Sequence, residues 1–212
     1  RNTTPVQTAH PTQTSPSQTS PRQTSPSQTS PGSQAERRGP DFIIIGAEKC
    51  GTSSLYHYLR RHPAMLPPIE KEIDFFDVEY DRGLDWYLAH FPPMPQQPGW
   101  VTGETSPNYL YSDLAPERVH RHFPQTKLIV ILRNPVDRTV SRFNMMVRNG
   151  TEKRSFEVAI AEELSQIQPE IDRDGEALRP SVLNWHRHIG NSLYYYHLKR
   201  WLDYFPESNS WS

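Results

Sequence analysis

Two short apolar runs predict buried strands in this chain of 212 residues, and each run is followed by a turn and a helix. Phe42 to Ile45 is rich in β-branched residues and ends at Gly46, and Lys127 to Leu132 forms the second run. Neither run alternates with polar residues and both are too short for a helix, so they are typical of parallel strands covered on both faces. The order strand, helix, strand, helix therefore predicts an α/β fold with a parallel sheet flanked by helices.

Helical spacing and terminal residues predict six helices along the chain. Their ranges are residues 52–61, 83–91, 115–122, 135–148, 156–164 and 191–204. Asn134 is the predicted N-cap of the fourth helix, with Pro135 in its first position. A short strand is predicted at 101–104, and the proline-rich residues 92–98 are predicted to form a surface loop.

The N-terminal part of the chain has a different composition. Residues 1–40 contain almost no large apolar side chains, and residues 13–32 hold four tandem copies of Gln-Thr-Ser-Pro. Such a repeat has no face to bury and cannot offset the entropy of ordering, so 1–40 is predicted to be a disordered linker and 41–212 one folded domain. Two purposes stay open for the linker: a stem that holds the domain away from a membrane, or a tether within a multidomain enzyme.

Charge and composition exclude several classes of function. The net charge is −1 and no block of Lys or Arg dominates, which argues against a nucleic-acid partner and leaves local anion binding. Cys50 is the single cysteine and the histidine spacings form no ligand set, so no disulfide and no metal site are expected. No apolar stretch approaches the roughly 18 residues of a membrane span, so no membrane contact is expected for this segment.

A loop bounded by Gly46 and Gly51 joins the first predicted strand to the first helix, and this layout is P-loop-like. Backbone N–H groups of such a loop converge on an anion, Lys49 adds a positive charge, and the hydroxyls of residues 52–54 add donors. A nucleoside triphosphatase has Lys after the second glycine, where this chain has Thr52. The loop therefore predicts a phosphate-like ligand other than ATP, with a plain strand-to-helix turn as the alternative.

A second anion site is predicted after the second strand. Arg133 stands where a Walker-type enzyme has its metal-binding Asp, next to the N-terminus of a helix. Ser141, about two turns into that helix, and Arg138 alongside suit the same phosphate group. The alternative is that Arg133 only ends a surface strand and Ser141 only fills the helix.

Glu72 is a candidate general base. It lies in the stretch Lys71-Glu-Ile-Asp-Phe-Phe76, between aliphatic and aromatic neighbours that are expected to desolvate its carboxylate in part. A solvated loop carboxylate is the alternative interpretation of the same residue.

Three motifs together resemble the sulfotransferase family, in particular its heparan-sulfate-like and bacterial branch. They are Gly46-Ala-Glu-Lys-Cys-Gly-Thr-Ser-Ser-Leu55, Lys71-Glu-x-x-Phe-Phe76 and Leu132-Arg-Asn-Pro-x-x-Arg-x-x-Ser141, and the resemblance spans about residues 41–206. It implies 3′-phosphoadenosine 5′-phosphosulfate (PAPS) as co-substrate. The residues implied to hold its 5′-phosphosulfate are Lys49, Cys50, Gly51, Thr52, Ser53 and Ser54. Arg133 and Ser141 are implied to hold its 3′-phosphate.

The resemblance also implies the catalytic roles. Glu72 would take the proton of the acceptor hydroxyl, and Lys49 would stabilise the charge on the departing phosphate. Many relatives carry His where this chain has Asp74. A sulfuryl group carries less negative charge than a phosphoryl group, so Lys and backbone donors are expected to act without Mg²⁺.

The implied activity is transfer of a sulfuryl group to a hydroxyl, with a carbohydrate as the first acceptor hypothesis. The alternatives are a domain of a polyketide assembly line that sulfates a hydroxyacyl chain on a carrier protein, and a catalytically inactive PAPS-binding module. A nucleoside kinase is disfavoured because the Lys after Gly51 and a metal-binding carboxylate are both missing.

The end of the chain departs from the family pattern. The family continues past the helix that ends near Pro206 into another strand and a late loop, whereas residues 206–212 show no apolar strand pattern. The domain is therefore expected to lack its C-terminal part. The expected location is the bacterial cytoplasm, or the Golgi lumen if a membrane anchor precedes Arg1.

Overall fold

The computed structural model describes residues 37–173 and 188–206. Nearly all of the predicted linker lies outside these ranges, and so do residues 207–212, on which the expected loss of the C-terminal part depends. Within the described ranges the chain forms a three-stranded parallel sheet in the order β2-β1-β3. The strands are β1 (Phe42–Gly46), β2 (Gly103–Thr105) and β3 (Lys127–Val130). The sheet and its flanking helices confirm the predicted α/β class.

Six α-helices accompany the sheet in the described ranges. They are α1 (Thr52–Leu59), α2 (Leu84–Leu88), α3 (Ala115–His122), α4 (Pro135–Arg148), α5 (Phe156–Arg173) and α6 (Tyr194–Leu202). Short 3₁₀ turns lie at Tyr80–Arg82, Pro107–Tyr111 and Gly190–Ser192. Apart from the end of α5, the helix bounds differ from the predicted ones by no more than three residues. None of the described helices is long and apolar enough to cross a membrane.

The start of α4 forms as predicted. The side-chain oxygen of Asn134 accepts the backbone N–H of Val136 at 3.0 Å and that of Asp137 at 3.3 Å, with Pro135 in the first turn. These bonds satisfy two of the donors that a helix leaves without intrahelical partners. The cap therefore fixes where α4 begins, directly after β3.

The end of α5 was predicted wrongly, at residue 164 instead of Arg173. Ala159, Glu163 and Ile167 are all buried at four-residue spacing, so the inner face of the helix continues past the predicted end. Glu163 occupies this face because its carboxylate accepts the backbone N–H groups of residues 188–190 at 2.8–3.0 Å. After Leu164 the sequence offers only Ile167 as an apolar residue before Pro169, which lies inside the helix, so the local pattern did not show the continuation.

β3 ends two residues earlier than predicted, at Val130. The next residue still pairs with the central strand: the N–H of Ile131 donates to the carbonyl of Gly46 at 2.9 Å, and its carbonyl accepts the N–H of Ala47 at 2.9 Å. β2 covers Gly103–Thr105 instead of residues 101–104. The chain after β3 thus runs beside the loop after β1.

The central strand β1 is buried on both faces, as its apolar run predicts. Ile43 and Ile45 face a core of aromatic rings, and Ile44 faces the opposite side with Tyr56 of α1. The core rings include Phe75, Phe76, Tyr87, Phe91 and Tyr109. All three strands end at the same edge of the sheet, so the loops that follow them meet there, where open α/β sheets bind ligands.

Candidate functional site

The loop between β1 and α1, residues 47–51, is called here the cradle loop. Gly51 has φ +95°, a left-handed conformation that favours glycine, and it precedes an N-terminus of α1 that no side chain caps. The first amide groups of α1, from Thr52 to Ser54, therefore have neither an intrahelical acceptor nor a side-chain cap. These donors and the positive end of the helix dipole suit an anion.

A cleft of about 360 Å³ lies beside this loop, within the part of the chain that the structure describes. Six of its lining residues were predicted as site residues from the sequence: Lys49, Gly51, Thr52, Ser53, Glu72 and Ser141. The others are Glu48, Pro107, Asn108 and Met145. The fold thus brings the cradle loop, α4 and Glu72 around one cavity.

Lys49 is the basic side chain among the described residues that line this cleft. Its ammonium contacts the sulfur of Met145 at 3.6 Å, and no carboxylate of the described residues lies within ion-pair distance of it. A thioether is a weak acceptor. Among the described residues, no carboxylate therefore neutralises the charge of Lys49, which leaves this charge available to an anion.

Glu48 places a carboxylate on the wall of the same cleft, and two cations of α4 neutralise it. Its carboxylate forms an ion pair with the guanidinium of Arg142 and lies 3.8 Å from that of Arg138. Both arginines are buried, Arg138 completely. The ion pairs connect the cradle loop to the helix that carries Ser141.

Arg138 does not lie beside the predicted second anion site. Its guanidinium points into the protein and donates to the carbonyl of His188 at 2.9 Å, the hydroxyl of Ser192 at 3.0 Å and the carbonyl of Glu48 at 3.4 Å. The prediction that Arg138 flanks a bound phosphate is therefore wrong. An Arg in the first turns of α4 looked like a phosphate ligand in the sequence, but here it joins the cradle loop to the segment before α6.

Three other predicted site residues do not line the cleft. Cys50 is buried, with its sulfur 3.4 Å from the hydroxyl of Tyr194. Ser54 is exposed on α1. The Arg133 side chain is 46% exposed and lies 3.6 Å from the carboxylate of Asp137. Their roles in binding a nucleotide stay predictions, and a ligand that reaches Arg133 would have to extend beyond the cleft.

Glu72 lines the cleft from the segment 70–77. The sequence predicted partial desolvation of its carboxylate; the side chain is 44% exposed and forms an ion pair with Lys71, so this stays a prediction. Its neighbours Ile73 and Phe75 are buried and point to the core instead. The backbone N–H of Glu72 donates to the carbonyl of Thr105 at 3.1 Å, which ties the segment to the end of β2.

The desolvated carboxylates of this region are ones that the sequence reasoning missed. Burial, with the charges of Asp77 and Glu72 adding to it, raises the pKa of Asp74 to about 7. Burial raises the pKa of Asp77 to about 6 and that of Glu104, on β2, to about 7. One signal was present in the sequence: Glu104 is an acidic residue inside a predicted strand next to the central one.

The cradle loop and the segment 70–77 also share a left-handed backbone conformation that is unusual for residues other than glycine. Among the described residues, the non-glycine residues with positive φ are Lys49 (67°), Glu72 (60°) and Asp74 (51°). Left-handed backbone costs a non-glycine residue about 1 kcal/mol or more, and it concentrates at functional sites. Two of these three residues, Lys49 and Glu72, line the cleft.

The fold and the cleft define an α/β protein with an anion cradle at a helix N-terminus and the carboxylate of Glu72 on the same cavity. Among the described residues, no group of three or more His, Cys, Asp or Glu side chains could hold a metal ion. A family model described as "Sulfotransferase domain" matches residues 39–210. The chain belongs to the sulfotransferase family.

Known proteins of this family are similar over most of the chain. Mouse heparan sulfate glucosamine 3-O-sulfotransferase 6 is 37% identical over 174 residues, which cover 82% of this chain and 46% of that protein. Bovine bifunctional heparan sulfate N-deacetylase/N-sulfotransferase 2 is 33% identical over 175 residues, 80% of this chain and 19% of that protein. The chain therefore spans less than half the length of these relatives.

A solved structure supports the fold. The sulfotransferase from Alicyclobacillus acidocaldarius superimposes with a TM-score of 0.65 at 30% sequence identity, covering 82% of this chain and 72% of that one. The family resemblance drawn from the three sequence motifs is thus confirmed.

Proposed function

We propose that this domain transfers a sulfuryl group from PAPS to a hydroxyl group of a carbohydrate. The observation that carries the proposal is the ammonium of Lys49, which has no carboxylate partner among the described residues and faces a cleft with Glu72 on another wall. Membership of the sulfotransferase family supports the reaction class.

The cradle loop and α4 are proposed to bind the donor. The 5′-phosphosulfate accepts hydrogen bonds from the free amides at the start of α1 and from the hydroxyls of Thr52 and Ser53, with Lys49 beside it. Ser141 lines the same cleft from α4 and is proposed to hold the 3′-phosphate together with Arg133. The adenosine part connects these two anionic ends.

Glu72 is proposed as the general base. Its carboxylate takes the proton of the acceptor hydroxyl while the hydroxyl oxygen forms a bond to sulfur and the bond from sulfur to the 5′-phosphate oxygen breaks. The negative charge that leaves with adenosine 3′,5′-bisphosphate develops beside Lys49. Proton acceptor and charge stabiliser therefore act from different walls of one cleft.

A carbohydrate acceptor is supported by the relatives. The mouse and bovine proteins are named for sulfation of heparan sulfate, a polysaccharide. Among the relatives named above, none is named for an acyl chain on a carrier protein. The mouse protein is named for 3-O-sulfation and the bovine one for N-sulfation, so both support a glycan acceptor, and the mouse relative favours a hydroxyl on it.

The proposal is tested in two steps. Calorimetric titration with adenosine 3′,5′-bisphosphate is expected to give micromolar binding that is weakened about tenfold or more in Ser141→Ala and in Arg133→Ala. Arg148→Ala is the matched control, since it removes the same charge as Arg133→Ala from the exposed far end of α4. Sulfur-labelled PAPS is then incubated with a desulfated heparan oligosaccharide.

Each outcome separates the candidate functions. Labelled oligosaccharide together with nucleotide binding supports a carbohydrate sulfotransferase. Nucleotide binding without transfer to any hydroxyl acceptor would indicate the inactive binding module instead. A folded protein that does not bind the nucleotide would refute the proposed donor site.

A further inference from the structure

Glu104 is the middle residue of β2 and is fully buried next to the segment 70–77. Its carboxylate accepts hydrogen bonds from three hydroxyl groups: Tyr87 at 2.6 Å, Ser106 at 2.8 Å and Tyr109 at 3.4 Å. A buried carboxylate costs several kcal/mol unless such donors surround it. The proposed reaction does not use this residue directly, so its presence needs a separate explanation.

Two of these hydroxyls also hold the segment that carries Glu72. The oxygen of Ser106 accepts the backbone N–H of Asp74 at 3.3 Å, and the oxygen of Tyr109 accepts that of Phe76 at 3.3 Å. The N–H of Glu72 donates to the carbonyl next to Glu104 in the chain, as described above. Every second backbone N–H of the segment, those of Glu72, Asp74 and Phe76, is thus hydrogen-bonded.

The chemistry of a hydroxyl explains why Glu104 matters for these contacts. Each hydroxyl has one proton, and a carboxylate can only accept. Because Ser106 and Tyr109 give their protons to Glu104, their lone pairs are left for the amides of Asp74 and Phe76. A donor in place of the carboxylate would turn at least one hydroxyl around and remove an acceptor from the segment.

We propose that Glu104 is a positioning residue for sulfuryl transfer, which fixes the hydroxyls of Ser106 and Tyr109 so that they hold the segment with Glu72 on the cleft. The inference rests on the proposed function. The left-handed backbone at Glu72 and Asp74 needs such support, because these conformations persist only where the surroundings enforce them. Glu104 acts through this backbone and contacts no substrate.

Kinetics of Glu104→Gln provide the first test. Glutamine keeps the size of the side chain but brings an N–H₂ donor to the hydroxyls. At about pH 8 we expect kcat to fall about 10- to 30-fold, while the affinity for adenosine 3′,5′-bisphosphate stays within about twofold, since the cradle loop is untouched. Ser106→Ala and Tyr109→Phe are expected to lower kcat in the same way.

Tyr87→Phe is the matched control. Tyr87 donates to the same carboxylate, but its hydroxyl makes no hydrogen bond to the segment among the described residues, and the phenylalanine ring preserves the stacking on Phe75. Its kcat is expected to stay within about threefold of the wild type. Equal losses in Tyr87→Phe and Tyr109→Phe would overturn the proposal, since any change near Glu104 would then suffice.

Amide hydrogen exchange provides a second test that needs no acceptor. In Glu104→Gln the amides of Asp74 and Phe76 are expected to exchange about tenfold faster, with those of Ile43 and Ile44 in β1 unchanged. This readout works even if the proposed reaction fails, so the two failures are distinguishable. Unchanged exchange at Asp74 and Phe76 in a folded variant overturns the proposal, and if Glu104→Gln does not fold, the same result in Ser106→Ala and Tyr109→Phe overturns it.

Discussion

The cradle loop and the segment 70–77 face one cleft but are built in different ways. The cradle loop follows from local sequence, a strand, a glycine-bounded turn and a helix, and its carboxylate, Glu48, is neutralised by two arginines of α4. The segment 70–77 is rich in carboxylates and is held by hydroxyls around the distant, buried Glu104. The wall formed by the cradle loop and α4 therefore suits an anionic donor, and the wall formed by the segment 70–77 suits proton transfer. Mutations in the two walls should affect nucleotide binding and proton transfer separately.

Glu72→Gln should give the largest effect. Loss of a general base lowers the rate by about 10²- to 10⁴-fold, and we expect a drop in kcat of about 10³-fold. Affinity for adenosine 3′,5′-bisphosphate should stay within about twofold, because the nucleotide is bound by the other wall. Transfer of labelled sulfate and calorimetry on the same protein measure the two quantities.

Glu70→Gln is the matched control for this variant. Its carboxylate belongs to the same segment, is 65% exposed and does not line the cleft. Its kcat should stay within about twofold of the wild type. A Glu72→Gln variant that loses nucleotide affinity together with kcat would break the separation of the two walls.

Lys49→Ala should affect both steps. Removing the positive charge weakens binding of the nucleotide and also the stabilisation of the departing phosphate, so we expect a loss of about 10²-fold in kcat and about tenfold in nucleotide affinity. Lys127→Ala is the control, because Lys127 is exposed at the start of β3, away from the carboxyl edge of the sheet. If only the KM for the acceptor changes, Lys49 binds the acceptor and not the donor, and its proposed role is wrong.

The difference between the two walls also explains what the sequence could and could not predict. The cradle loop, the cap of α4 and the strand β1 follow from neighbours in the sequence, and the structure has them where they were predicted. The burial of Arg138 and the contacts between the Glu104 cluster and the segment 70–77 join residues far apart in the chain, such as Arg138 with His188 and Ser106 with Asp74. Local patterns contain no information on such partners, so the desolvation of Asp74 and Glu104 was not predicted.

Glu48→Ala tests the electrostatic balance of the cradle wall. It leaves the buried Arg138 and Arg142 without this carboxylate, and we expect a loss of about 2 to 3 kcal/mol in the free energy of unfolding, measured with denaturant. The control, Glu117→Ala, removes the exposed partner of Arg121 on α3 and should cost less than about 1 kcal/mol. Similar losses in both variants would show that the buried ion pairs contribute no more than a surface pair.

The smallest expected effect is on how the free energy of unfolding depends on pH, through Glu104, which supports the segment 70–77. The pKa of Glu104 is raised to about 7, so between its ordinary value and about pH 7 the folded protein keeps a proton that the unfolded chain has lost. Stability from this group is therefore present at low pH and falls as the pH rises. Glutamine removes this dependence, so the stability of Glu104→Gln relative to wild type should rise by about 1 kcal/mol or more between about pH 5 and 8.

For Glu152→Gln, the stability relative to wild type should change with pH in the opposite direction to that of Glu104→Gln. Arg154 lowers the pKa of Glu152 by hydrogen bonding, and His188 contributes to the same shift, so this carboxylate stabilises the fold at neutral pH and loses that contribution as the pH falls below its ordinary value. The stability of Glu152→Gln relative to wild type should therefore improve as the pH is lowered, whereas that of Glu104→Gln should worsen. Denaturant unfolding of both variants and the wild type across about pH 3 to 8 measures the two slopes. Equal slopes would mean that burial does not raise the pKa of Glu104 in the folded protein, and the contrast between the two carboxylates would be lost.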